Sequence, residues 1–396
     1  MKKLLALLLV LCMLVGVCAC GATTEPVDET PANNDAPSTQ PTDEPKTDEP
    51  KTDDPAPIEE DPKTEEPTST ALFSGEDKVI DIYLIAGQSN AVGYSRIDNT
   101  KEAYAFAPEL KRGFKNVLFA GVVRWGGDSG AYESKDYDWC KTALGFGKGN
   151  DAEYIGPEAG IAKGLSEYYE EGSDKVAGII KHGHGGTSLL DNVTGVNRHG
   201  NWASPTYAEK VLGMNKETYD SSAVGGLYRS FLEVVEEKLR LLATGLDEYT
   251  NFNIKGIYWM QGETDRERPD DYKVAFGYFV SDLRRDLAKI ATELTGEDRG
   301  AANMPIFVGT ISQTFNLNTE KAEDINIKFV EMQKTLPDTV ENCYIIDNSQ
   351  YALSKYREGS TILILGSDQH HWKMSDHLEI GYKAGHEMLI QNGLLQ

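Results

Sequence analysis

Two short segments far apart in the chain carry side chains suited to nucleophilic acyl transfer. Gly87-Gln88-Ser89-Asn90-Ala91 directly follows an apolar run. This places Ser89 at the carboxyl end of a strand and at the start of a helix, where backbone N–H groups can stabilise a developing oxyanion. Near the other end, Asp368-Gln369-His370-His371-Trp372 precedes a final helical segment. An aspartate three residues before a histidine can, on one turn, accept from Nδ1–H and leave Nε2 free to take a serine proton. A serine in a turn is by itself usually a cap. It is the combination of Ser89, His371 and Asp368 that points to a nucleophile, its base and the group that orients the base.

Other segments compete for a chemical role. His370 neighbours His371, but only His371 has Asp368 at the three-residue spacing. His182 and His184 would share a strand face and could bind a metal, yet no third ligand has sensible spacing, so they are expected to line the cleft beside the following glycine turn. Gly127-Asp128-Ser129-Gly130 is similar to the serine segment of chymotrypsin-like proteases, whose two β-barrels do not fit this chain, and is expected to be a turn. The sequence contains no Gly-x-Ser-x-Gly elbow, which argues against an ordinary α/β-hydrolase lipase. Gly145-Phe146-Gly147-Lys148-Gly149 lacks the flanking strand and helix of a phosphate loop and is expected to be flexible. Asp376-His377 is expected to cap the last helix or lie on its surface.

The elements that must position these residues are legible as alternating strands and helices. Val79 to Ala86 is nearly continuous in apolar residues, rich in β-branched side chains and stopped by Gly87, as a buried parallel strand would be. Similar runs occur at Val176 to Ile180, Ile254 to Trp259, Ile306 to Ile311 and Cys343 to Ile346. Between them, Phe231, Val235, Leu239 and Leu242 fall on one helical face, and Phe276, Phe279, Val280, Leu283, Leu287, Ile290 and Leu294 on another. The alternation predicts one α/β domain, a parallel sheet of about five strands with helices on both sides. The glycine- and aromatic-rich stretch from Phe106 to Tyr154 is expected to form loops over the site. Ligands in such sheets bind beyond the carboxyl ends of the strands.

The N-terminal part follows different rules. Met1-Lys2-Lys3 and the apolar run after it have the pattern of a signal peptide, and Val17-Cys18-Ala19-Cys20-Gly21 resembles a bacterial lipobox. By that resemblance residues 1–19 are removed and Cys20 carries the acyl chains, which tethers the protein outside the cytoplasmic membrane at the cell surface. Residues 20–72 read as a disordered acidic linker rich in Pro and Thr, with a five-residue repeat beginning at Thr42, Thr47 and Thr52. The net charge is -24, and residues 21–70 alone hold 15 acidic residues against 3 lysines. About half of the acidity thus lies in the spacer, and 73–396 is a moderately acidic domain with no general attraction for nucleic acid. Only Cys140 and Cys343 remain in that domain, read as two buried free thiols rather than a pair.

Ile82 to Gly93 (IYLIAGQSNAVG), Gly185 to Leu189 (GGTSL), Trp259 to Asp265 (WMQGETD) and Asp368 to Trp372 (DQHHW) resemble, in order and spacing, the blocks of the sialate O-acetylesterase-like and carbohydrate esterase family 6 branch of the SGNH hydrolases. Gly156-Pro157-Glu158 and Asn201-Trp202-Ala203-Ser204-Pro205 extend the resemblance over nearly all of 78 to 390. It implies a three-layer, flavodoxin-like α/β/α fold and a serine esterase that removes O-acetyl groups from carbohydrates, acetylated hemicellulose or O-acetylated sialic acid, through an acetyl-serine. Ser89 would be nucleophile, His371 base and then acid, and Asp368 the orienting group. The oxyanion hole would combine the backbone N–H groups of Ser89 and Gly186 with the Gln261 amide, which stands where the wider superfamily has an asparagine. Gln88, Asn90, Gly185, Glu263 and Trp202 would contact substrate or support these residues; Glu263 and Asp265 either bind sugar hydroxyls or fix the Gln261 loop, or are loop acids that cap or contact solvent. Trp202, on a polar loop after the glycine turn, is the aromatic chosen to stack on a sugar. No cofactor or metal is implied, and a monomer is expected. The alternatives are a silent carbohydrate-binding protein that has kept the fold, or an esterase for longer acyl chains.

Overall fold

The computed structural model describes residues 71–126, 132–191, 200–245, 249–319, 321–356 and 362–396. The signal segment, Cys20, the linker up to Thr70 and the Gly127–Gly130 turn lie outside the described residues. The described residues belong to one compact unit.

In chain order, β1 (Val79–Gly87) runs into α1 (Ser89–Val92), followed by β2 (Ser95–Arg96), α2 (Thr100–Phe106), β3 (Val117–Gly126), β4 (Tyr132–Lys141), β5 (Tyr154–Ile155), α3 (Glu158–Leu165) and β6 (Val176–His184). Next come α4 (Pro205–Lys210), α5 (Lys216–Ser221), α6 (Gly226–Gly245), β7 (Asn251–Met260) and α7 (Pro269–Thr295). The chain ends with β8 (Ile306–Gly309), α8 (Ala322–Lys334), β9 (Cys343–Ile346), β10 (Ser354–Tyr356), β11 (Ile362–Ile364) and α9 (Met374–Gln391).

The main sheet has seven strands in the order β4-β3-β6-β1-β7-β8-β9. The five strands legible in the sequence are the contiguous parallel block β6-β1-β7-β8-β9. Numbered among themselves they read 2-1-3-4-5, the flavodoxin-like order, whose switch point lies beside β1. The expectation of about five strands is corrected by β3 and β4, which widen the sheet beyond β6 and lie inside the stretch expected to form loops. β3 is parallel to β6, and β4 runs antiparallel along the edge. An edge strand exposed to solvent needs no continuous apolar run; the β4 sequence, YESKDYDWCK, has none. Cys140 is exposed on this edge while Cys343 is buried, and both are free, so only one of the two thiols is buried as expected.

Alternation along β1 divides the core. Ile80, Ile82, Leu84 and Ala86 pack with the apolar faces of α6 and α7, whereas Tyr83 and Ile85 pack with α3 and α9. Both faces of the sheet are therefore covered, as parallel strands require. α9 begins just after the Asp368–His371 segment and crosses α3 closely. A Cβ at Gly160 would lie 2.2 Å from the Leu378 carbonyl oxygen, and one at Gly381 2.2 Å from that of Pro157. These glycines let the two backbones touch, and that contact anchors the helix that carries the histidine loop.

Candidate active site

The chemistry-bearing segments converge at the carboxyl ends of the central strands. Ser89 follows β1 as the first residue of a single-turn helix, Gly185 and Gly186 follow β6, and Gln261 to Asp265 follow β7. The Asp368–His371 loop, between β11 and α9, brings His370 and His371 to the same place. Ser89, Gly186, Glu263 and His371 line one cleft of about 380 Å³.

Local hydrogen bonds explain how each segment is held. At the end of β1, Gly87 has φ +142°, and a Cβ there would lie 2.1 Å from the Met260 carbonyl oxygen, so glycine alone allows β1 and β7 to approach this closely. Gln88 N–H donates to that same carbonyl at 3.0 Å, which fixes the turn that presents Ser89. Gly186, with φ +69°, makes the turn after β6 and borders the cleft. In the histidine loop, Asp368 Oδ2 accepts from His371 Nδ1 at 2.8 Å, while Oδ1 accepts from the backbone N–H groups of His370 at 2.6 Å and His371 at 2.9 Å. The three-residue spacing thus produces the one-turn contact expected of it. His370 Nδ1 lies 3.7 Å from Asp368 Oδ1, a poorer contact that leaves His371 as the oriented imidazole. Burial would raise the Asp368 carboxyl, but the hydrogen bond and charge of His371 and the His370 N–H outweigh it and hold the group at about 2. Ser89 and His371 face the same cleft without a mutual hydrogen bond; such bonds commonly tighten only when substrate organises a site.

The loop after β7 resolves the alternatives left open by the sequence. Asp265 accepts from Ser188 Oγ, from Leu189 N–H at 2.7 Å and from Gln261 Nε2 at 2.8 Å. It ties this loop to the segment after β6, with both carboxylate oxygens engaged and away from the residues that border the cleft. Glu263 does face the cleft. Its Oε1 accepts from Asn90 Nδ2 at 2.8 Å, and Asn90 also donates to the His370 carbonyl at 3.2 Å, so one buried amide joins the serine, glutamate and histidine segments. Burial raises the Glu263 carboxyl above the ordinary range against the pull of Asn90.

Gln261 departs from expectation. It is fully buried, does not border the cleft, and its Nε2 donates to Asp265 and, at 3.0 Å, to the Thr187 carbonyl. Its donors are engaged in loop closure and are not presented to a reacting carbonyl. Gln88, itself buried, borders the cleft instead. Its Oε1 accepts from Gln261 Nε2 at 3.3 Å and from the Gly262 and Thr264 N–H groups at 3.5 Å. Turning the amide over would set its NH2 against these donors, so the network fixes Oε1 inward and leaves Nε2 on the cleft side.

Other expectations are corrected by burial. Trp202 is fully buried, donates to Thr187 Oγ1 at 2.9 Å and packs edge-on against Trp259; it is core and offers no sugar platform. His182 and His184 are likewise buried beneath the glycine turn rather than lining the cleft, with His182 Nδ1 2.9 Å from the Val122 carbonyl oxygen. Among the described residues no cluster of three His, Cys, Asp or Glu side chains could hold a metal. His377 is buried against Trp372 and is not a surface residue. The Gly145–Gly149 segment is folded into the domain, with Phe146 stacked on Phe119 and the Lys148 N–H donating to the Gly93 carbonyl at 2.9 Å. Sequence reasoning missed Tyr94, Thr264, Arg266, Phe315 and Asn316, which also border the cleft. Asn316 has φ +46°, an unusual value for a non-glycine residue that asparagine tolerates; the sequence carried no other signal for it.

Similar solved structures include NanS (TM-score 0.47, 15% identity, 79% of this chain and 97% of that one) and a protein from Arabidopsis thaliana (TM-score 0.44, 18% identity, 78% and 98%). A third is a carbohydrate acetylesterase from Xanthomonas citri (TM-score 0.43, 14% identity, 78% and 55%). No curated protein matches the sequence. A family model described as carbohydrate esterase, sialic acid-specific acetylesterase matches residues 79–389, from the first strand into the last helix. On that match, which covers well over half of the sequence, the chain belongs to the carbohydrate esterase family of sialic acid-specific acetylesterases and is a carboxylic ester hydrolase of carbohydrate O-acetyl groups.

Proposed function

We propose that Ser89, His371 and Asp368 carry this hydrolysis by acyl transfer. The observation that carries the reading is the 2.8 Å contact from Asp368 to His371 Nδ1 on a cleft that also holds Ser89. Nδ1–H is fixed as the donor to the carboxylate, which leaves Nε2 as the base. Ser89 Oγ attacks the acetyl carbonyl while His371 takes its proton. The oxyanion forms against the backbone N–H groups of Ser89 and Gly186 and the Gln88 side-chain amide, which takes the place expected of Gln261. His371 then protonates the departing sugar oxygen, which leaves as a free hydroxyl. In the second half, water gives a proton to His371 and attacks the acetyl-serine, and His371 returns that proton to Ser89 Oγ as acetate leaves.

The match to the acetylesterase family model supports acetyl as the acyl group. The expected substrate is an acetylated glycan, xylan, mannan or an O-acetylated sialic acid. Acetate release from these three, with an aryl acetate and an aryl octanoate alongside, tests the reading: acetyl esters should be hydrolysed at least about tenfold faster than octanoyl. Preference for the octanoate would support an esterase for longer chains, and binding of the glycans without acetate release would support the silent binding protein.

The N-terminal reading is a separate part of the proposal, supported by the Ala19-Cys20 junction after an apolar run. Acylation of Cys20 tethers the enzyme outside the cytoplasmic membrane, with the acidic segment rich in Pro and Thr between the anchor and the domain. Cys20→Ser is expected to leave an uncleaved precursor or release the protein from membranes. Membrane partition and mass identical to wild type would refute the anchor.

A further inference from the structure

The Gly145–Gly149 segment and Tyr94 have no place in the reaction as described, yet they meet at the base. The Tyr94 ring stacks on the imidazole of His371, with centroids 4.7 Å apart and planes 21° from parallel. Lys148 places Nζ 4.7 Å from the centroid of the same tyrosine ring and 4.8 Å from that of Tyr154. The backbone leaves this lysine little freedom. Lys148 N–H donates to the Gly93 carbonyl at 2.9 Å, and Gly147 N–H to that of Tyr154 at 2.9 Å. A Cβ at Gly147 would fall 2.4 Å from the Gly93 oxygen. The glycines that give this segment the look of a phosphate loop instead permit close approach to the chain just beyond the serine helix. On the other side of Tyr94, the hydroxyl lies against Gly185, where a Cβ would come within 2.5 Å of it. One tyrosine therefore touches both the base and the turn beside the oxyanion site.

We infer that Tyr94, backed by Lys148, is a positioning residue that holds the His371 ring in the plane from which Nε2 reaches Ser89. The inference rests on the assignment of His371 as base. Asp368 fixes one atom of the imidazole and the direction of Nδ1–H; rotation about that hydrogen bond is left to be limited by contact with the ring face. Tyr94 supplies that contact through its ring, so its hydroxyl is dispensable for this role. Misplacement of a catalytic group by about 1 Å can cost on the order of 100-fold in rate.

The test compares Tyr94→Leu, Tyr94→Phe and Lys148→Met in the whole protein, with an aryl acetate as substrate. Tyr94→Leu is expected to lower kcat about 10- to 100-fold while KM changes by less than about threefold. Modification of Ser89 by an aryl phosphonate should slow in proportion. Tyr94→Phe should recover most of the rate, and Lys148→Met should fall between Phe and Leu. A Tyr94→Phe loss as deep as that of Leu would overturn the inference by assigning the effect to the hydroxyl, and so would a rise in KM at constant kcat. Should Tyr94→Leu fail to fold, Tyr94→Phe and Lys148→Met still decide: wild-type kcat in Lys148→Met refutes the backing role. If His371→Ala retains wild-type activity, the assignment of the base has failed, which is distinguishable from a failure of the stack.

Discussion

Ser89→Ala is expected to reduce kcat/KM for an aryl acetate by about 10⁴-fold or more while leaving the unfolding transition unchanged. Removal of a nucleophile in a coupled triad eliminates the covalent route, and what persists is the smaller catalysis from oxyanion donors and binding. The substitution removes one hydroxyl from a side chain that makes no hydrogen bond among the described residues, so the fold has little to lose. Asp368→Asn should come close to it, about 10⁴-fold in kcat, because the amide no longer holds the imidazole in the required tautomer. Gln88→Ala should cost about 100-fold or more in kcat with little change in KM, the signature of a donor that acts on the transition state. Turnover by Ser89→Ala at the wild-type rate would refute the mechanism. Wild-type kcat in Gln88→Ala would return the third oxyanion donor to an open question.

The second large effect concerns stability and is expected at Lys181. This lysine lies on β6 with its side chain wholly buried, and its Nζ donates to Glu158 Oε2 at 2.8 Å, the Val92 carbonyl at 2.9 Å and the Phe146 carbonyl at 2.7 Å. Its three N–H groups thus have three acceptors. Burial pulls the ammonium down from the usual lysine range, and the adjacent carboxylate pulls it back. Glu158 Oε1 in turn accepts from Gly156 N–H at 3.0 Å. The pair joins the end of the serine helix, the Gly145–Gly149 segment and the start of α3. Lys181→Met would strand a buried carboxylate and two carbonyl groups, at an expected cost of about 3–5 kcal/mol in urea unfolding. Lys181→Met/Glu158→Gln should recover more than half of that, since the glutamine still accepts from Gly156 and no charge remains buried. A single-variant loss below about 1 kcal/mol, or a double variant with no recovery, would contradict this account.

The same network shows what kind of feature escapes a sequence reading. Lys181 and Glu158 look like ordinary surface charges in the sequence, and only the packing of β3 and β6 against the turn after Val92 encloses them. The parallel block was legible because strands buried on both faces must be apolar along their length, which makes Val79 to Ala86 and its four partners visible. Edge strand β4 was not, because one exposed side removes that requirement. Trp202 and the pair His182 and His184 were misplaced for a related reason: residue type does not distinguish a side chain at the rim of a cleft from one a few ångströms below it.

The one-turn contact of Asp368 and His371 was legible in the spacing, since three residues on a turn can bring a carboxylate to the imidazole, and the structure forms it at 2.8 Å. Ser89 was likewise placed by its position after a buried strand. The sequence by itself therefore determined the pairing of Asp368 with His371, the place of Ser89 at the end of β1 and the parallel sheet, because each follows from local spacing or from burial that repeats along an element. Only the tertiary structure decided that Gln88 rather than Gln261 turns its amide to the cleft and that Tyr94 and Lys148 stand behind the base. Those assignments depend on which of several competing donors and rings lie within contact distance across segments far apart in the chain, and spacing along a sequence carries no such distances.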